Sequence, residues 1–253
     1  MIVISFSTFL LVTLPTYYHL LLASIPAGIG WGSSGPIGGV HAQLIEKHSK
    51  KIIQPYYAMG FNVGIFLGGG FASFFINQKT EPYFIFLLFS IVSIFVSIIV
   101  YNFSLPKELD FKGLGEKYKI PQKEVLVFGL LLFIVFGSGG IIIDWSSLWF
   151  SSELNAPLYL ASLGLIFLSS GGILANLFSN QLISFFSEKI VGCYFVIFGT
   201  ILLFISIITF NFYIILICLF FYGFATANFV PLIIRQAVKQ STESIPTTVT
   251  NLT

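Results

Sequence analysis

The chain has 253 residues, of which 56% are hydrophobic and 17% aromatic but only 9% charged. Soluble domains average roughly 25% charged residues, so this chain cannot dress a water-facing globule, and lipid is its expected solvent. The formal net charge of +2 provides no field for nucleic acid; the basic residues fall in short connectors between apolar runs, which is a topology signal.

A membrane-crossing helix needs about 20 mostly apolar residues. Eight segments read this way, at residues 2–14, 20–45, 52–76, 83–103, 125–150, 158–186, 191–210 and 213–238. The first is short for a full span. It has no basic lead-in and no small-residue cleavage site, so no signal peptide is expected. The runs lack period-two alternation, which argues against a β-barrel. The expected fold is therefore an all-α polytopic membrane protein. Residues 1–104 would form one partial transmembrane half, 105–123 a cytoplasmic connector, and 124–253 a second partial half.

The connectors after even-numbered segments carry Lys47, Lys50, Lys51, Lys107, Lys112, Lys117, Lys119, Lys123, Lys189, Arg235 and Lys239. Only Lys79 falls on the other side. The positive-inside rule makes the first group cytoplasmic, in a multi-pass protein of the inner or plasma membrane. An internal echo supports the segmentation. Gly28 and Pro36 of the second segment recur as Gly223 and Pro231 of the eighth at the same spacing, followed by His41-Ala42-Gln43 and Gln236-Ala237. Matched interruptions of this kind suggest two related halves.

The third segment carries Gly60, Gly64 and Gly68, and the second Gly28, Gly32, Gly35 and Gly39. Glycines on one face let another helix approach closely, so plain helix packing is their first reading. In the fifth segment, Gly137, Gly139 and Gly140 precede Asp144 and Trp145. A carboxylate and a glycine run are costly within one span and mark function more often than decoration. The glycines would bend the helix, as would Pro231 in the eighth segment. Asp144 lies roughly 28 Å along the helix from Val125, near the outer end. It is either a wet residue in an interfacial belt with Trp145 and Trp149, or a carboxylate in an outer cavity that binds a proton, a cation or a polar solute.

Asn62 falls about 15 Å into its segment, near the midplane. Its amide can bond a solute or simply a neighbouring helix, and Asn228 has the same two readings. His41 and Gln43 sit near the cytoplasmic end of their segment. Arg235 either snorkels or belongs to an inner gate. Cys193 and Cys218 read as small buried hydrophobes. A phosphate loop, a His-Glu-x-x-His helix, a nucleophile elbow and paired intramembrane carboxylates are all missing, so no enzyme activity, metal or cofactor is expected.

Three stretches carry a resemblance. They are Gly30-Trp-Gly-Ser-Ser-Gly-Pro36 with His41-Ala-Gln43, Asp144-Trp-Ser146 with Leu148, and Ala227-Asn-Phe-Val-Pro-Leu232. In order and spacing the chain resembles the major facilitator superfamily, in particular bacterial sugar permeases of the fucose-permease type. The resemblance implies a helical bundle that moves a small polar solute such as a sugar by alternating access, with proton coupling left open. On this mapping the chain runs from the end of the family's third helix to the start of its eleventh, as a fragment would. Ile37 stands near a place where the family often has an acid, and Tyr57 stands at a family His. Asn176-Leu-Phe-Ser-Asn-Gln-Leu182 has amides where the family carries a charged cytoplasmic latch, so any latch here would rely on hydrogen bonds. These departures also fit a non-transporting receptor or assembly protein with a transporter-like fold.

Overall fold

The computed structural model describes residues 2–13, 16–49, 52–103 and 122–252, and most of the expected 105–123 connector lies outside them. Among the described residues the regular structure is entirely helical: α1 (Ile2–Thr13), α2 (Tyr17–Ser49), α3 (Gln54–Asn77), α4 (Pro82–Asn102), α5 (Lys123–Ser152), α6 (Leu163–Leu177), α7 (Ser179–Phe186), α8 (Phe195–Thr209), α9 (Phe212–Thr226), α10 (Phe229–Gln240) and α11 (Ile245–Leu252). A 3₁₀ turn, Leu158–Leu160, leads into α6, and a π turn, Ile190–Tyr194, into α8. Local chemistry explains several starts. Pro55 and Pro82 occupy first-turn positions of α3 and α4, where the missing N–H costs nothing. Asn211 caps α9 by accepting from the N–H groups of Tyr213 at 3.1 Å and Ile214 at 3.2 Å.

Among the described residues, six helical stretches are long and apolar enough to cross a membrane: Gln54–Asn77, Pro82–Asn102, Val125–Ser152, Leu158–Leu177, Ile190–Thr209 and Phe212–Gln240. Of the eight segments expected, the first is a helix of only 12 residues. The second has ample length at 33 residues, but its glycines, serines and prolines dilute the apolar content. The last span contains a two-residue turn at Ala227 and Asn228. Pro231 lies just inside the first turn of α10, so it starts that helix and does not kink its interior. Residues Gly137, Gly139 and Gly140 lie within an unbroken α5.

Helix α1 packs against α2 and α4, α3 against α6, and α9 against both α6 and α8, while α10 and α11 close on α5. Ser5 ties α1 to α4: its hydroxyl donates to Ser93 Oγ at 2.6 Å, and Ser90 Oγ donates to its carbonyl at 3.0 Å. Two apolar clusters sit at opposite ends of α5. At its start, Val125 and Leu132 meet Ile233, Ile234 and Ala237 of α10 and Val249 and Leu252 of α11. At its far end, Phe150 meets Ala161 and Ile215, Leu216 and Leu219 of α9. Most other large apolar side chains point outward, as expected where lipid replaces water and helix association depends on close packing instead of the hydrophobic effect.

The closest helix contact is α6 on α9. A Cβ added at Gly171 would run into the carbonyl oxygen of Phe220, and one at Gly223 into the carbonyl oxygen of Leu168. Gly60, Gly64 and Gly68 have nothing within 4 Å of such a Cβ, and the same holds for Gly28, Gly32 and Gly35. The packing face expected along α3 is therefore open. The glycines of α2 divide: Gly30 meets Ile4, Gly38 meets Tyr57 and Gly39 meets Val249, while Gly28 and Gly32 border a cavity. Cys218 is buried as expected, but Cys193 is exposed.

Candidate functional site

A charged cluster forms where the last turns of α2 and α10 meet the entry to α3 and the stretch just after α7. Glu46, in the last turns of α2, accepts from the N–H groups of Ile53 at 3.0 Å and Gln54 at 3.3 Å, and so caps α3. Its other oxygen lies 2.9 Å from Arg235 Nε of α10. The same guanidinium donates through Nη1 to Glu188 Oε1 at 3.2 Å. Glu188 also lies 3.6 Å from Lys239 Nζ and accepts from the Gln236 amide. One arginine thus joins a carboxylate from before the 104–121 stretch to one from after it. The Arg235, Glu46 and Glu188 side chains are 20%, 15% and 31% exposed. At that burial the charges are partly desolvated, and removing one partner strands the others. Beside them, buried Gln43 donates through Nε2 to Gln54 Oε1 at 3.2 Å.

One turn further into α3, the Tyr57 hydroxyl lies on Gly38 of α2. Asn62 then lies against Gly172 of α6, where a Cβ would come within 2.7 Å of Asn62 Oδ1; its Nδ2 donates to its own helix, to the Ala58 carbonyl at 3.2 Å. Asn228 is 1% exposed at the α9–α10 turn and donates to the Ala175 carbonyl at 3.0 Å. Its Oδ1 and both amide atoms of Asn176 have no hydrogen-bond partner among the described residues. His41 borders a cavity of about 540 Å³ on α2, together with Gly28, Gly32, Ser33 and Thr250 of α11.

The site residues expected from sequence therefore fall into two groups. His41, Gln43, Tyr57 and Asn62 lie where α2 and α3 meet each other, α6 and α11, and Asn228 lies between α10 and α6. Asp144 and Trp145 stand apart on the exposed face of α5, and Asp144 makes no hydrogen bond or ion pair among the described residues. Arg235 pairs with Glu46 and Glu188 instead of snorkelling, so the polar tie at this end is ionic where hydrogen bonds between amides were expected. Glu46 and Glu188 were not singled out from sequence. The available signal was that each acid sits beside a lysine at one end of a helical stretch, Glu46 in the last turns of α2 and Glu188 at the start of the stretch that leads into α8, where a plain connector would need no carboxylate.

The sequence model described as Major Facilitator Superfamily matches residues 1–252. No curated protein and no solved structure matches the chain. The family is one of transporters, not of enzymes, and its members bind a solute while sitting in the bilayer. A match over nearly the whole length, on an all-helical fold with six membrane-compatible stretches, places this chain in the Major Facilitator Superfamily.

Proposed function

We propose that the chain is a secondary active transporter of a small polar solute of the sugar type, related to the fucose permeases and coupled to protons, which works by alternating access in a cell membrane. The observation that carries this reading is the double engagement of Arg235, which ties Glu46 to Glu188 across the seam between the two sets of helices. Such a tie can be made in one arrangement of two rocking halves and broken in the other. With the tie made, the lysine-rich end is closed. The cavity of about 540 Å³ along α2 falls in the range of small-molecule sites and presents Ser33, His41 and Thr250 among apolar and glycine surface. Asp144 is the proton carrier in this reading, because an exposed carboxylate with no ion pair can exchange a proton with the outer solution.

The test is exchange in proteoliposomes containing the 253-residue chain. Vesicles preloaded with unlabelled hexose should take up labelled hexose by saturable counterflow, and an inward proton gradient should drive accumulation. Protein that inserts and binds hexose without moving it would overturn transport and favour a receptor.

A further inference from the structure

Between α7 and the stretch that leads into α8, one residue serves both helices. The Ser187 N–H donates to the Ile183 carbonyl at 2.9 Å and closes α7, while its own carbonyl accepts from the Val191 N–H at 3.1 Å and opens the next helix. Its φ is 75° and its ψ 155°. That combination is essentially a glycine conformation, because a Cβ crowds the neighbouring backbone there. Phe210, another non-glycine residue with positive φ, has φ 45° and ψ 25°, the left-handed helical conformation that ends many helices. Ser187 lies outside that conformation. Its hydroxyl makes no hydrogen bond among the described residues, so no side-chain contact offsets the strain.

The residue that follows supplies the reason. The torsions of Ser187 set the direction in which the chain enters Glu188, and three side chains of α10 hold the Glu188 carboxylate: Arg235 at 3.2 Å, Lys239 at 3.6 Å and the Gln236 amide. The π turn Ile190–Tyr194 begins two residues later, and a Cβ added at Gly192 within it would touch Leu232 of α10. Glu188 and Lys189 thus stand between two departures from α-helical geometry, at a joint fastened to α10 on both sides. A strained backbone persists only where its surroundings over-determine it, and here α10 does so. We propose that Ser187 is a positioning residue for the ionic tie: the grip of α10 on Glu188 holds the Ser187 backbone strained, and the backbone relaxes to negative φ when the tie breaks. The strain works against the tie and keeps it weak enough to open. From the transport reading this takes only that the tie opens and closes.

The test is a double-mutant cycle on the full chain, read by thermal melts in detergent with no solute present, so its outcome is independent of whether hexose is moved. Ser187→Gly removes the Cβ and no side-chain bond. It should raise the melting temperature by about 2–4 °C, the shift that relief of modest backbone strain gives in a chain of this length. Ser187→Ala, which keeps the Cβ, should change nothing. In Glu188→Ala, which keeps the Arg235–Glu46 pair, α10 no longer holds the joint, and the gain from Ser187→Gly should vanish. Lys79→Gly, at a residue with φ 56° at the other end of α3, should have the same effect in both backgrounds. An equal gain from Ser187→Gly in both backgrounds would overturn the proposal, because the conformation would then belong to an ordinary helix end. An unchanged or lowered melting temperature for Ser187→Gly alone would overturn it too. Where Glu188→Ala fails to fold, the milder Glu188→Gln loses both ion pairs and should reduce the gain; an undiminished gain there would again overturn it.

Discussion

The same residue type does opposite things in two parts of this molecule. On α3, Gly60, Gly64 and Gly68 form a regular stripe that meets no other helix. Between α6 and α9, Gly171 and Gly223 are far apart in sequence, yet each accepts the backbone of the other's helix. Charges show the same contrast. Arg235 is engaged with two carboxylates, while Asp144 stands exposed and unpaired. The lesson is that a glycine or a charge inside a membrane span acquires its role from what docks against it. Composition marks the candidates, and docking decides which are structural and which are free to act.

The sharpest way to break the comparison is to add one carbon at each kind of glycine. Gly171→Ala or Gly223→Ala must push two helix backbones apart, which should cost about 3 kcal/mol or more. Purified variants should show a strongly lowered melting temperature in detergent, or fail to yield folded protein. Arg235→Gln comes next. It leaves Glu46 and Glu188 facing each other without the guanidinium, and a lost charge-assisted bond of this kind costs about 1.5–3 kcal/mol. Arg235→Lys should recover only part of this, because a single ammonium does not reproduce the fork that reaches two carboxylates. A double-mutant cycle between Arg235→Gln and Glu46→Gln, read by thermal melts, should show clear coupling. Simple additivity would mean that the tie contributes nothing.

The free residues should show the reverse. Asp144→Asn should leave the melting temperature almost unchanged, within about 0.5 kcal/mol, since the carboxylate has no partner to lose. In vesicles the same variant should lose proton-driven accumulation and keep counterflow, which moves no net proton. Accumulation that persists with its pH dependence intact would remove Asp144 from the proton path. The smallest effect belongs to Gly64→Ala, where a methyl group meets no neighbour; stability should stay within about 0.5 kcal/mol of wild type. A loss comparable to that at Gly223 would show that the α3 stripe is in fact a packing face.

The sequence by itself determined the class, the membrane environment and most helix limits. The expected segments 52–76 and 83–103 became Gln54–Asn77 and Pro82–Asn102, because hydropathy and proline placement act over a few neighbouring residues. The importance of Asn228 and Gly223 was also visible, through an amide and a glycine that an apolar helix does not need. Tertiary structure alone decided that Gly223 meets Leu168, that Asn228 reaches the Ala175 carbonyl, and that Arg235 finds Glu46 and Glu188. It also decided that Gly137–Gly140 continue as helix while Ala227 and Asn228 form a turn. Each of these depends on the approach of segments distant along the chain. In lipid that approach is set by backbone fit and by the few polar groups that must be paired, and a one-dimensional pattern of apolar residues encodes neither.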